Sequence, residues 1–336
     1  MNETNLNICQ VSLKRDIPLI KENFKNFKKI YKSNVKFFIV CPKKQMKDFS
    51  KRLNYNEIKI INEDELISFK TFNEIFRKLS KNIIYQKKFS KRLNWYYQQI
   101  LKISFILKFI TKNNQDIIVW DADTIILKKI NFFSKKHSIN YGNFFEFNKN
   151  YYLTNKGILK RLPNYYISFL NQFISVTKKE CRYLITNLLN EKKVRGKFTE
   201  KLSILILSKI FKIHKDYDGS LFSEYELIGQ SNYLLNHRMQ KPILFLRLNL
   251  DGKLTKFQKK ISKFLNYKHV TYEHKHVGKK NHGMLKRTQS YSGFLKIIFK
   301  DFLFYHVKSL FHFFNSYYSN DFTNNQLYKV KNNKKD

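Results

Sequence analysis

Two aspartates separated by one small residue, in Trp120-Asp121-Ala122-Asp123-Thr124, are the side chains best placed to do chemistry. The run Ile117-Ile118-Val119-Trp120 ahead of them reads as a buried strand. Its C-terminal end, where the carboxylates emerge, is where open α/β sheets bind ligands. Two carboxylates flanking a small residue can share a hard divalent cation, directly or through water, with phosphate oxygens completing the shell. Ala122 leaves room for a ligand close to the backbone. A bare D-x-D is common as a solvated turn; the apolar strand before this one, and Thr-Ile-Ile-Leu after it, set it apart. A second D-x-D, Asp216-Tyr217-Asp218-Gly219, has no strand feeding it, and its Asp-Gly is a turn signal.

Two further segments carry candidate polar groups. On a helix through Trp95–Lys102, Gln98 and Lys102 are i, i+4 neighbours on one face. Lys102 could neutralise a phosphate and Gln98 could bond a sugar or base, although a solvated surface pair has the same spacing. In Phe222-Ser223-Glu224-Tyr225-Glu226-Leu227, Ser223 and Glu226 fit a capping box, which gives Glu226 a structural task. Glu224 lies about 200° round the helix from Glu226. It is thereby left to face a cleft as a hydroxyl binder or general base, or simply to complement the helix dipole. His274 and His276 alternate around Lys275 and share one face of a strand, with a solvated strand as the plain account.

These residues need elements to hold them. Leu6–Ser12, Val35–Val40, Ile58–Ile61 and Asp116–Trp120 read as strands, and helices are expected over Pro18–Tyr31, Pro42–Leu53 and Leu93–Ile110. Asp16 suits the first helix as N-cap, with Pro18 in its first turn. Strand–helix alternation with apolar strands predicts an α/β fold, a mostly parallel sheet flanked by helices. Further helices are expected at 177–192, 199–211 and 222–236, with short strands near 243–249 and 267–277. The hexapeptide FSKRLN occurs at Phe49–Asn54 and Phe89–Asn94 with unrelated flanks, so it is no structural repeat. The chain is expected to form one domain over 1–283, followed by an amphipathic basic and aromatic helical tail over 284–336. Within that tail, 294–318 suits either an anionic membrane interface or packing on the domain or in a dimer.

Composition is the loudest feature and the least specific. The 336 residues carry 65 Lys+Arg against 25 Asp+Glu, a formal net charge of +40. Such charge invites a nucleic-acid-binding reading, in which aromatics stack bases. Only ten of the basic residues are Arg, however, and Phe (32) and Tyr (21) are inflated as well, the mark of A/T-rich codons. Phosphate and base recognition would favour the planar fork of Arg, and the aromatics fall in periodic apolar runs, so no nucleic-acid partner is expected. Cys9, Cys41 and Cys181 have neither metal nor disulfide spacing and read as buried small hydrophobes. The first fifteen residues show no signal peptide and no run reaches ~18 apolar residues. The expected location is a reducing cytoplasm, with peripheral attachment to the inner face of the membrane through the tail.

The order W-x-x-Q-Q-x-x-K, D-A-D-T, F-S-E-Y-E-L, over roughly residues 5 to 240, resembles the bacterial family of domain of unknown function 6492, regarded as glycosyltransferase-like, and more broadly the nucleotide-sugar glycosyltransferases of GT-A fold. The resemblance implies a Mn²⁺ or Mg²⁺ ion bridging Asp123 and Asp121 to the diphosphate of a nucleotide-sugar donor, a UDP-sugar first among them. It places Asp121 near the donor ribose. It also implies a cell-surface glycan or lipid-linked acceptor. The candidate sets are then Asp123 and Glu224 for catalysis; Ser12, Gln98, Lys102, Asp121 and Ala122 for the donor; and Asp121, Asp123 and His276 for the metal. Two alternatives stand beside it: a basic nucleic-acid-binding protein, and a phosphohydrolase of haloacid-dehalogenase type. The latter places its D-x-D near the chain start and needs a later Lys and acidic pair; here the motif stands at 121–123 and no clear acidic pair follows.

Overall fold

The computed structural model describes residues 5–32, 34–80, 89–134, 137–142, 148–161, 168–189, 197–214, 220–237, 246–250, 252–272 and 289–303. The chain divides into two compact units, one of residues 1–163 with 167–242, the other of 164–166 with 243–336. The expected boundary at 283/284, His274, His276 and the stretch of tail after 303 lie outside the described residues.

In the first unit, β1 (Leu6–Val11), β2 (Val35–Cys41), β3 (Ile58–Asn62), β4 (Ile117–Trp120) and β6 (Phe173–Val176) form one sheet in the order β3-β2-β1-β4-β6. The short strand β5 (Thr124–Ile126) follows the acidic turn after β4. β1, β2, β3 and β4 run parallel, with Ile8 opposite both Phe37 and Ile118, so the expected mostly parallel α/β sheet is present. β6 runs antiparallel to β4, Trp120 facing Phe173. Every residue of β1, β4 and β6 is buried, as strands covered on both faces must be.

Adjacent residues of β2 show both covers, because successive side chains of a strand point to opposite faces. Phe37 meets Phe24 and Phe27 of α1 (Ile17–Tyr31), while Phe38 meets Phe105 and Phe109 of α4 (Leu93–Asn113). α1 buries Ile17, Leu19, Ile20, Phe24 and Phe27 along one stripe. Asp16 precedes it but does not cap it; its carboxylate accepts from Leu13 N at 2.9 Å, closing the turn that leads in from β1. α4 is buried almost all round, which requires neighbours on every side. The neighbours are the sheet and a helical layer of α3 (Phe69–Leu79), α5 (Lys149–Leu159), α6 (Lys178–Leu189), α7 (Phe198–Ile213) and α8 (Glu224–Asn236), α2 (Met46–Arg52) lying by β3.

The second unit carries β7 (Arg247–Leu250), α9 (Lys256–Phe264) and β8 (His269–Tyr272), a strand–helix–strand in which β7 and β8 pair in parallel. Thr255 and Gln258 close a capping box at the start of α9. Residues 291–303 are helical, with Phe294 buried.

Candidate active site

The sheet order puts a topological switch between β1 and β4: the chain winds outward from β1 through β2 to β3 on one side, and β4 lies on the other. Open α/β sheets open a crevice at the C-terminal strand ends of such a point. Asp121, Ala122 and Asp123 sit there, directly after β4. Their turn is tightly held. Thr124 N donates to Asp121 O at 3.1 Å, Asp121 N donates to Gln172 O at 2.9 Å, and the Trp120 indole N–H donates to Thr124 O at 2.7 Å. The indole itself is wedged against Phe27, Phe132 and Phe173. Asn23 of α1 accepts from Ile126 N at 2.9 Å, tying down the exit strand.

Behind the turn lies a buried charge network. Lys102 Nζ is 2.5 Å from Asp121 Oδ1 and 2.5 Å from Glu224 Oε1, with only 5% of the Lys102 side chain and 4% of the Glu224 side chain exposed. Lys102 also donates to the Tyr225 hydroxyl at 3.3 Å, and that hydroxyl donates to Asp121 Oδ1 at 2.6 Å. Burial would push the Lys102 ammonium toward neutrality, but Asp121 and Glu224 outweigh it and hold the group above its usual range, hence charged. Burial raises Tyr225 well above the phenol range, aided by the same two carboxylates, so it remains a donor. Glu224 is raised by burial, against the pull of Lys102. Asp123, half-buried, is pushed up to about 8 by burial and by the charges of Asp121 and Asp16, with Lys102 opposing.

The candidate residues thus divide. Asp121, Lys102 and Glu224 are brought into one network, with Asp123 beside it. Lys102, expected to meet a phosphate, has its ammonium spent on two carboxylates and a phenol. Glu224, expected to face a cleft, is inside. Gln98 reaches the first strand, donating to Val11 O at 3.3 Å, and Ser12 is buried two residues after Gln10. Glu226 departs from the expected capping box. Ser223 Oγ accepts from Glu226 N at 3.5 Å, but the Glu226 carboxylate turns away to accept from Ser168 Oγ (2.5 Å), Phe169 N (3.1 Å) and Gln230 Nε2 (3.3 Å).

Three participants escaped the sequence. Tyr225 stands inside a motif read only for its acids. Gln99 accepts from Glu224 N at 3.2 Å and seats the start of α8 on α4. Gln10 donates to Asp121 O at 3.4 Å; a Gln within the apolar strand Leu6–Val11 was the available signal. Gln10 Oε1 and Ser12 Oγ, at the end of β1, and Gln99 Nε2, on α4, are buried without a hydrogen-bond partner.

Among the described residues no group of three or more His, Cys, Asp or Glu side chains could hold a metal ion by itself. Asp121 and Asp123 are nevertheless hard oxygen donors, and a positive charge beside Asp123 is what would relieve its raised carboxyl. The donor set fits a divalent cation held by two carboxylates, with its other ligands from substrate oxygens or water.

The motif-based resemblance holds in the sequence: the family described as "Family of unknown function (DUF6492)" matches residues 14–155. That span contains the Trp95–Lys102 helix and the Asp121–Asp123 pair, and ends before Phe222–Leu227. No curated protein matches the chain. Among solved structures, the apo form of mouse xyloside xylosyltransferase 1 is 9% identical with a TM-score of 0.42, covering 83% of this chain and 99% of that one. The galactosyltransferase LgtC, in complex with donor and acceptor sugar analogs, is 9% identical with a TM-score of 0.42, covering 80% and 87%. An active-site mutant of LgtC is 10% identical with a TM-score of 0.44 and the same coverage.

Proposed function

We propose that the protein is a metal-dependent glycosyltransferase that takes a sugar from a nucleotide-sugar donor and passes it to a cell-surface glycan or lipid-linked acceptor. The observation that carries this is the pair of carboxylates at 121 and 123, presented at the switch point and braced from behind by a buried cation. The donor and acceptor classes are what the motif resemblance to nucleotide-sugar glycosyltransferases of GT-A fold implies. Asp121 and Asp123 would hold a Mn²⁺ or Mg²⁺ ion, which when bound takes up charge on the departing nucleoside diphosphate.

The chain's own residues supply the rest. Lys102 and Tyr225 both bind Asp121 Oδ1 and so fix the carboxylate's orientation. The Trp120 indole and Gln172 carbonyl hold the turn, and Ala122 keeps its surface low. Ser12 Oγ and Gln10 Oε1, unpartnered at the adjacent strand end, suit the polar groups of the donor. Glu224 enters as the counter-charge that keeps Lys102 in place. A carboxylate buried under two neighbours cannot reach an acceptor hydroxyl without leaving its ion pair.

The test is a thermal-shift screen of nucleotide-sugars with and without Mn²⁺, on the wild type and on Asp123→Ala, which leaves the Lys102 ion pairs intact. At 100 times its Kd a donor adds about 2.7 kcal/mol, a rise of several degrees. That rise should need Mn²⁺ and vanish in Asp123→Ala. If no nucleotide-sugar stabilises the wild type, or if the rise persists in the variant, the assignment fails.

A further inference from the structure

Outside the acidic crevice, the second unit holds the largest display of exposed apolar side chains among the described residues, and they share one pattern on two helices. On α9, Phe257 and Phe264 stand seven residues apart on one face and are 59% and 88% exposed. On the helix at 291–303, Tyr291, Leu295 and Phe299 recur every four residues, Phe299 being 64% exposed. The helices lie side by side. The Phe257 and Tyr291 rings stack with centroids 6.3 Å apart, Gln258 Nε2 donates to Gln289 O at 3.0 Å, and one helix length further on Tyr267 donates to Asp301 at 3.0 Å. The two apolar strips therefore meet.

Charge frames them. At about 100° per residue, Lys256, Lys260 and Lys263 fall beyond the phenylalanines on α9, and Lys296 and Lys300 fall beyond the strip on its neighbour. Among the described residues of this unit nine are Lys or Arg and one, Asp301, is acidic; its carboxylate accepts from Tyr267. No described helix is long and apolar enough to cross a membrane. Aromatic side chains between rows of exposed lysines match a surface that is apolar within and anionic outside.

We propose that this two-helix face docks on an anionic lipid bilayer, inserting Phe257, Phe264 and Phe299 at headgroup depth with the lysines against the lipid phosphates. The surface is broader than the single 294–318 helix suggested by the sequence, because α9 supplies half of it. It is independent of the donor site, so each claim can fail alone.

The experiment uses the full chain with two vesicle populations, pure phosphatidylcholine and phosphatidylcholine with a third phosphatidylglycerol. Sedimentation should show at least tenfold preference for the anionic vesicles, lost at high salt. Each of Lys256→Gln, Lys260→Gln and Lys300→Gln should lower the partition about fivefold. Phe257→Asp combined with Phe299→Asp should lower it tenfold or more at an unchanged melting temperature. As a conservative probe, Phe299→Trp should shift its emission to the blue when anionic vesicles are added. Equal binding to both vesicles, an emission that vesicles do not move, or vesicle binding that the double variant leaves intact would each overturn the proposal. So would a dimer that the double variant converts to monomer, or an emission from the Phe299→Trp indole already blue before vesicles are added. Those results would give the face to a second copy or to the chain's own 304–336 segment.

Discussion

Glu224 and Glu226 stand two residues apart in the first turn of α8, both buried, yet they are stabilised by opposite means. Glu224 is met by a cation, Lys102, which in turn is shared with Asp121. Glu226 is met by neutral donors only, a hydroxyl, a backbone N–H and an amide. Cation pairing keeps a buried carboxylate ionised but ties it to its partner; neutral donors satisfy its lone pairs yet leave the cost of burying charge largely unmet. Burial raises both carboxyls, Glu224 against the pull of Lys102. Burial drives Glu226 up to about 7, with its three donors pulling the other way. One site is thus built to hold charge next to the crevice, and the other to hold a shape.

The largest expected effect breaks the charged side of this contrast. Lys102→Met would leave Asp121 and Glu224 facing each other without their shared cation, which should cost about 3–5 kcal/mol at pH 8 by urea denaturation. Protonation relieves the repulsion, so the deficit should shrink toward pH 5. Adding Glu224→Gln should recover part of it. A single variant as stable as the wild type at pH 8 would show that the network does not hold charge in solution.

The neutral side gives the next effect, in the opposite pH sense. Glu226 binds its proton more tightly folded (about 7) than unfolded (4.5). Between these values the folded state carries more protons than the unfolded one, so stability falls as pH rises from about 5 to 7 and then levels. The full swing is at most about 3 kcal/mol. Glu226→Gln cannot titrate, so its loss of stability between pH 5 and pH 8 should be smaller than the wild type's by a sizeable part of that amount. An identical pH profile would mean Glu226 is not buried as described.

How far the sequence foretold these two sites depends on what kind of information each needed. The apolar run Ile117–Trp120 read correctly as a buried strand, and the position of Asp121 and Asp123 at its end followed directly. Phe173–Val176 went unread as a strand altogether, and nothing in its four buried residues says antiparallel. The α3 helix went unread although Ser68 caps it and Phe72, Ile75 and Phe76 form its buried stripe, because lysines interleave so short a pattern. Helical geometry correctly sent Glu224 and Glu226 in different directions but could not say what awaited them. Lys102 is 122 residues from Glu224 in sequence, and the prior for a lysine is the surface. Ser168 and Phe169 lie between segments with no periodic signal. Long-range partners of polar groups are a property of the assembled fold, and short-range pattern does not contain them.

A third change tests how finely Asp121 is held. The Tyr225 hydroxyl gives Asp121 Oδ1 a bond of 2.6 Å and itself receives one from Lys102. Tyr225→Phe keeps the ring, and with it the contact of Lys102 over the ring at 4.6 Å, but removes that donor. Hydrogen bonds to charged groups contribute about 1.5–3 kcal/mol. Because Lys102 continues to serve Asp121, the loss should lie at the low end, near 1.5 kcal/mol. Mn²⁺-dependent donor stabilisation should weaken with it, while the Glu226 pH profile stays unchanged. Loss of fold stability with donor stabilisation fully retained would show that the orientation of Asp121 does not matter to binding.

The smallest effect concerns the turn the two glutamates share. Ser223 caps α8 through its oxygen, but at 3.5 Å, and Glu226 does not reciprocate because its carboxylate is committed to Ser168, Phe169 and Gln230. A one-sided, long cap bond is the weak end of the range for such residues, so Ser223→Ala should cost about 0.5–1 kcal/mol in chemical denaturation. In a reciprocal capping box, Ser223 and Glu226 would act as a unit, and combining Ser223→Ala with Glu226→Gln would depart from additivity. Here the two carboxyl and hydroxyl groups serve different partners, so the double variant at pH 5 should equal the sum of the singles to within about 0.5 kcal/mol. A larger coupling would mean that in solution Glu226 does turn back onto Ser223. The neutral pocket would then be one of two places its carboxylate goes, and the sharp division between a charge-holding and a shape-holding glutamate would soften accordingly.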